Sequence, residues 1–224
     1  SLMNDEVCTE AMMRRGFAKD DALDFAITGC VDLIAAGKTG GIGFSAILLS
    51  RVLDMTLRNG DSHTLIGTVE NVGPKTGDPD TFTSFDQLVD AFMLQASSMI
   101  QTIVDASNLR DRVFAEELPA PYISAFMQGC LEKKKDVTRG GAVYDLSGIL
   151  YMNSLAHVVD SLHVIKKLIF EEKRFTFREL QEAIDHNFVG YEDMHRMIED
   201  VEGKWGNGNA ESDEFAREVA ARLF

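Results

Sequence analysis

From Phe44 to Leu57 the chain leaves almost no polar face. Phe44, Ala46, Ile47, Leu48, Leu49, Val52, Leu53 and Met55 fall on every side of a helix drawn through them. A helix that is apolar nearly all round has to be buried within a large protein, so this segment demands a core on all sides. Asn59-Gly60, a pair suited to positive φ, closes it. Amphipathic helices elsewhere supply that core. Residues 5–17 set Val7, Ala11, Met12 and Phe17 among charges and end at Gly16. Asp20, Asp21 and Asp24 open a brief turn or helix. Ser84 and Gln87 form an S-x-x-Q capping box ahead of the stripe Leu88, Phe92, Ala96, Met99 and Ile103. Pro119 and Pro121 break the chain, and Tyr122 to Leu131 reads as a further helix. Gly140 to Tyr144 reads as a turn into a short strand, and residues 152–172 as an apolar helix. Thr176 and Glu179 give a second capping box, opening a helix to about Asn187. Tyr191 to Val201 reads as a short helix, and Phe215, Val219 and Leu223 mark the last one. Residues 61–83 read as loop, with turn chemistry from Gly73 to Pro79.

Ahead of the apolar segment lies Ala26-Ile27-Thr28-Gly29-Cys30-Val31-Asp32, then the glycine-rich run Gly37-Lys38-Thr39-Gly40-Gly41-Ile42-Gly43. In extended backbone, residues two apart project to one side. The Cys30 thiol and the Asp32 carboxylate are therefore expected to face one cavity. The glycines permit tight turns and close approach of other groups. The residues alone leave two readings of Cys30 open, a buried structural thiol or a reactive one. Asp32 is likewise either a catalytic carboxylate or a loop cap. Cys8 and Cys130 lie in helix-like sequence and read as inert. The five histidines lack metal-like spacing, so no metal or bound cofactor site is expected, and Cys30 and Asp32 are the candidate catalytic residues.

Acidic residues outnumber basic ones, 36 to 22, for a net charge of -14. That disfavours nucleic acid and anionic membrane as partners, since both select clustered Lys and Arg. Lys133-Lys134-Lys135 reads as a solvated loop or helix end. No window holds the roughly 18 uninterrupted apolar residues of a membrane span, and the first residues lack a secretory pattern. Three cysteines, an odd number, fit a reducing cytoplasm better than a disulfide framework. Both ends lie in helix-like sequence, which reads as a piece of a longer polypeptide.

The order of short motifs resembles a known family. Asn4-Asp5-Glu6-Val7 is similar to its N-D-E-V entry, and Asp24-Phe25-Ala26-Ile27-Thr28-Gly29-Cys30-Val31 to its D-Y-x-x-x-G-C-V motif. Thr76-Gly77-Asp78-Pro79 with Phe82 and Phe85 resembles T-G-D-P-R-x-F-x-x-F. Gly140-Gly141-Ala142-Val143-Tyr144 resembles G-G-A-x-Y-N, and Asp160-Ser161-Leu162 with Ile165-Lys166-Lys167 resembles D-S-L-x-x-I-K-K. Asn187-Phe188-Val189-Gly190-Tyr191-Glu192 resembles N-F-x-G-Y-E, and Lys204-Trp205-Gly206-Asn207 resembles K-Y-G-N. Together they resemble an internal segment of a glycyl radical enzyme of the pyruvate formate-lyase-like family.

The resemblance implies an α/β fold, a ten-stranded barrel of two half-barrels wrapped by helices, with the cysteine on a loop inside. Residues 1–224 would be a partial domain, helix-rich, lacking the N-terminal half-barrel and the C-terminal glycine radical domain. The implied activity is that of a lyase of dehydratase or decarboxylase type acting on a small organic substrate. A glycyl radical on a C-terminal segment, installed by an activating enzyme that uses S-adenosylmethionine and an iron–sulfur cluster, would convert Cys30 to a thiyl radical. Asp32 stands where many members carry the glutamate of G-C-V-E and would manage a proton. Phe44 falls where diol-dehydratase members hold an aspartate, which implies a more apolar pocket. Val31 replaces the second cysteine of pyruvate formate-lyase, which disfavours acyl transfer of the formate acetyltransferase kind. Asp145 stands where asparagine is usual. The full-length protein is expected to be a cytoplasmic homodimer, and the isolated fragment to be catalytically inert.

Overall fold

The computed structural model describes residues 3–29, 32–41, 44–64, 67–145 and 149–223. In chain order the elements are α1 (Asp5–Arg14), α2 (Lys19–Leu23), β1 (Phe25–Thr28), β2 (Asp32–Ala35), β3 (Thr39–Gly40), β4 (Phe44–Leu48), α3 (Leu49–Leu57), β5 (Ser62–Thr64), β6 (Gly67–Val69), α4 (Phe85–Glu117), α5 (Pro121–Phe126), α6 (Cys130–Lys133), β7 (Tyr144–Asp145), β8 (Ile149–Asn153), α7 (Leu155–Ile165), α8 (Phe177–Asp185), α9 (Glu192–Glu199) and α10 (Ala210–Leu223). A π-helical stretch, Lys166–Glu171, continues α7. Among the described residues strands pair in twos: β1 with β2, β3 with β7, β4 with β8, and β5 with β6. The β3–β7 pair is parallel. The chain divides into two compact units, 1–45 with 104–150 and 46–103 with 151–224. Helices dominate, as the sequence implies.

In the first unit, Asn4 caps α1 by accepting the Val7 N–H at 3.0 Å. Gly16, at φ +92, ends the turn that follows. Met12, Phe17, Ala22 and Ala35 form a buried cluster joined by Phe25, Leu33 and Tyr144. A second cluster gathers Cys130, Val137 and Ala142. Beside it Asp136 gathers the Ala120 N–H at 3.1 Å, the Ser124 hydroxyl at 2.8 Å, and the Thr138 N–H and hydroxyl at 2.9 and 2.7 Å. The expected helix from Tyr122 to Leu131 is interrupted. Gly129 sits at φ +93, where a Cβ would lie 2.8 Å from the Gly141 carbonyl oxygen, so α5 and α6 are separate. Lys133 ends α6, and its ammonium bonds the Ala142 carbonyl, a helix-end role as read.

The apolar segment from Phe44, whose first two residues close the first unit's opening stretch and whose remainder belongs to the second, is not one helix. Its first five residues form β4, and α3 begins only at Leu49. An all-apolar run carries no period, so strand and helix look alike until a pairing partner, here β8, decides. α3 then buries Leu49, Val52, Leu53, Met55 and Leu57, each worth about 1.5–3 kcal/mol of transfer. Asn59 and Gly60 close it at φ +52 and +89. Within the stretch read as loop, β5 and β6 form an antiparallel pair. The Thr76–Pro79 loop is pinned by the buried Gln95, whose amide donates to the Pro74 carbonyl at 2.7 Å and meets the Thr76 hydroxyl at 3.2 Å. The capping box of α4 is offset. The Gln87 N–H reaches Ser84 Oγ at 3.4 Å, but the Gln87 side chain accepts from the Thr83 N–H at 2.7 Å. The box of α8 forms as read, with the Thr176 N–H donating to Glu179 Oε2 at 2.7 Å and the Glu179 N–H donating to Thr176 Oγ1 at 3.2 Å. Arg58, only 11% exposed, joins α3 to α8 by pairing Asp54 at 2.7 Å and Asp185 at 2.5 Å. Phe85 packs between Phe170 and Phe215. Lys204 donates to the carbonyls of Ile198, Glu199 and Val201 at 2.7–3.1 Å, capping α9. The Trp205 N–H donates to Asp160 at 2.7 Å.

Candidate active site

The Asp24–Val31 motif opens on β1, which pairs antiparallel with β2 in the register Phe25↔Ala35, Ala26↔Ile34, Ile27↔Leu33 and Thr28↔Asp32. Burial falls from root to tip. Ala35 is buried, Leu33 and Asp32 are half-buried, and Thr28 and Gly29 are exposed. The extended backbone expected through the cysteine ends at Thr28. Gly29 takes φ +58, and the chain reverses before Asp32. Asp32 opens the returning strand with its carboxylate turned over the turn. A Cβ placed on Gly29 would lie 3.6 Å from Asp32 Oδ2. Cys30, Val31 and the Ile42-Gly43 pair lie outside the described residues.

The start of the glycine-rich run that follows is tied down by hydrogen bonds at Gly37, Lys38 and Thr39. The Ala35 N–H donates to Thr39 Oγ1 and the Lys38 N–H to the Ala35 carbonyl, both at 3.0 Å. The Gln128 N–H donates to the Gly37 carbonyl at 2.8 Å, and the Tyr144 N–H to the Lys38 carbonyl at 2.9 Å. Gly40 is a close-approach glycine, since a Cβ there would lie 2.8 Å from the Ala142 methyl and 3.0 Å from Val137 Cγ2. Two separate sequence motifs, Gly37-Lys38-Thr39-Gly40 and Gly140-Gly141-Ala142-Val143-Tyr144, thus pack directly on each other.

A polar cluster completes this surround. The Tyr144 hydroxyl donates to Asp21 Oδ2 at 2.6 Å and accepts the Ala18 N–H at 3.0 Å. Asp21 Oδ1 pairs with the Lys38 ammonium, and the Tyr144 ring stacks on Phe17 at 4.1 Å. Lys38 and Tyr144 together hold the Asp21 carboxyl below its ordinary range, and Asp21 raises the Lys38 ammonium in return. Residue-by-residue reading missed this cluster. Tyr144 lies 123 positions from Asp21, and only the proximity of two motifs in the fold brings them together.

The remaining cysteines do not join the site. Cys8 is buried in α1 with its sulfur 3.7 Å from that of Met3. Burial pushes the Cys130 thiol up, against the bond it makes with Ser124. Among the described residues, no group of three His, Cys, Asp or Glu side chains converges to hold a metal, and no helix is long and apolar enough to cross a membrane. A separate cleft of about 410 Å³ lies within the second unit, lined by Leu53, Leu57, Val164, Leu180 and Phe188 with Asp160 at its edge.

A family model described as pyruvate formate lyase-like matches residues 1–224. The chain belongs to the pyruvate formate lyase-like family. Its relatives in this family include the (2S)-3-sulfopropanediol dehydratase of Klebsiella oxytoca, 35% identical over 199 residues that cover 88% of this chain and 24% of that protein. An isethionate sulfite-lyase of Desulfovibrio desulfuricans is 30% identical over 223 residues, 97% of this chain and 26% of that one. The crystal structure of hydroxyproline dehydratase from Clostridioides difficile, with trans-4-hydroxy-L-proline bound, superposes with a TM-score of 0.88 at 29% identity, covering 99% of this chain and 28% of that one. The chain spans about a quarter of the length of the family members it matches.

Proposed function

We propose that residues 1–224 are the cysteine-bearing segment of a glycyl radical lyase of dehydratase or decarboxylase type. The observation that carries this reading is the ordered set of family motifs, in which a cysteine and a carboxylate stand two residues apart in the sequence, and the carboxylate of Asp32 opens β2 beside Gly29. Membership of the family supports it. In the full-length protein the segment would contribute to a ten-stranded barrel of two half-barrels, in a cytoplasmic homodimer activated by a partner enzyme using S-adenosylmethionine and an iron–sulfur cluster. The N-terminal half-barrel and the glycine radical domain would lie outside residues 1–224.

In this mechanism the Cys30 thiol would give up its hydrogen atom to a glycyl radical outside the segment, which would supply the unpaired electron. The thiyl radical then takes a hydrogen atom from a substrate carbon and becomes a thiol again. Asp32 accepts a proton from the adjacent substrate hydroxyl or acid, and the leaving group departs from the neighbouring carbon with its electron pair. The product radical recovers a hydrogen atom from Cys30. The protein's part is orientation and exclusion of water from a reactive intermediate. Candidate substrates are small polar molecules with a carbon-bound leaving group, of the kind named for the relatives: 3-sulfopropanediol, isethionate and trans-4-hydroxyproline. Phe44, where diol-dehydratase members hold an aspartate, favours a less hydroxylated one.

The test is anaerobic turnover of these three compounds by the full-length, activated enzyme. Cys30→Ala is expected to keep the glycyl radical signal in electron paramagnetic resonance and to lose all turnover. Asp32→Asn is expected to lower kcat by about 100-fold or more, the scale of a lost general base. Turnover by Cys30→Ala would refute the assignment.

A further inference from the structure

The β1–β2 hairpin pairs Phe25–Thr28 with Asp32–Ala35, and its root at Phe25 and Ala35 is its more buried end. Both arms of that root converge on one side chain. The arm entering β1 comes from α2, which carries Asp21. The arm leaving β2 runs through Lys38. Asp21 and Lys38 pair with each other, and Tyr144 holds both. Its hydroxyl donates to Asp21 at 2.6 Å and accepts the Ala18 N–H at 3.0 Å, while its own N–H donates to the Lys38 carbonyl at 2.9 Å. Its ring, stacked on Phe17 and packed with Phe25 and Leu33 in one cluster, fills the space under the hairpin.

We propose that Tyr144 is a positioning residue for the radical chemistry, its hydroxyl holding Asp21, and through it Lys38, so that the segment from Asp21 to Lys38, which carries Cys30 and Asp32 in its sequence, is fixed at both ends. The inference rests on the thiyl reading given above. The hydroxyl bonds Asp21 and the Ala18 N–H and acts through the two arms. A hydrogen-atom transfer depends steeply on approach geometry, so a loosened tip is expressed in rate more than in substrate affinity.

The test is Tyr144→Phe in the full-length enzyme, a change that keeps the ring, the stack and the backbone bond. Amide hydrogen exchange of residues 25–29 and 32–35 is expected to quicken about tenfold or more, while that of α3 stays at the parent rate. On whichever of the three compounds the parent enzyme consumes, kcat is expected to fall about tenfold or more with KM within about twofold. Glycyl radical content stays at the parent level. Asp21→Ala, which removes both the Tyr144 bond and the Lys38 pair, should lose at least as much, and the double variant should lose less than the sum of the two singles, because they share the Tyr144–Asp21 bond. Parent-level exchange or parent-level kcat in Tyr144→Phe overturns the proposal, as does a fall in radical content that tracks the loss of turnover. Turnover by Cys30→Ala would instead overturn the thiyl reading, and the hairpin exchange result would stand apart from it.

Discussion

Asp136 organises more of the first unit than any other single carboxylate described above. Burial pushes its carboxyl up, but the Thr138 N–H and hydroxyl, the Ala120 N–H and the Ser124 hydroxyl outweigh that and hold it at about 2. A carboxyl that is more acidic folded than unfolded stabilises the fold above the unfolded pKa and ceases to do so as pH falls through the folded one. Asp136→Ala is thus expected to cost about 1–3 kcal/mol at pH 7. The gap between variant and parent should close between about pH 4 and pH 2. Urea unfolding across that range checks both statements. Gln95 is the opposite case. Its Oε1 is buried with no partner among the described residues, where a Cβ on Gly73 would strike it, while its amide makes both of its described bonds.

At the scale of elements, two glycines set the break between α5 and α6. Gly129 combines φ +93 with an approach to the Gly141 carbonyl, and a Cβ on Gly141 would strike the carbonyls of Lys135 and Asp136. Gly129→Ala therefore meets both a backbone cost of about 1–2 kcal/mol and a clash. A loss of at least about 2 kcal/mol in chemical denaturation is expected. The helix ends that carry local chemistry were legible from sequence: the Thr176 box, the stop at Asn59-Gly60, the break at Pro119. Those set by partners far along the chain were not. β4 hid inside an apolar run because only β8 distinguishes strand from helix there. The β5–β6 pair hid in Ser62-His63-Thr64, which has no apolar alternation to reveal it. The cysteine motif was legible as a motif, but the Asp21–Lys38–Tyr144 cluster depends on packing between distant segments.

Across the whole molecule neither unit is contiguous in sequence. The first closes only when residues 104–150 return to 1–45, and the second only when 151–224 return to 46–103. α3 stays without its α7 partner until the last third of the chain is made, an arrangement that slows folding through long-range closure. That late closure hinges on how the chain leaves α9 toward α10, which packs on α7. The ammonium of Lys204 sits there among three peptide oxygens. A round, tripodal cation suits such a nest, and a flat guanidinium does not. Lys204→Arg, ordinarily the mildest exchange for a lysine, should depress the melting temperature as much as Lys204→Met does. An acetyl group on that nitrogen would unseat the terminal helix in the same way.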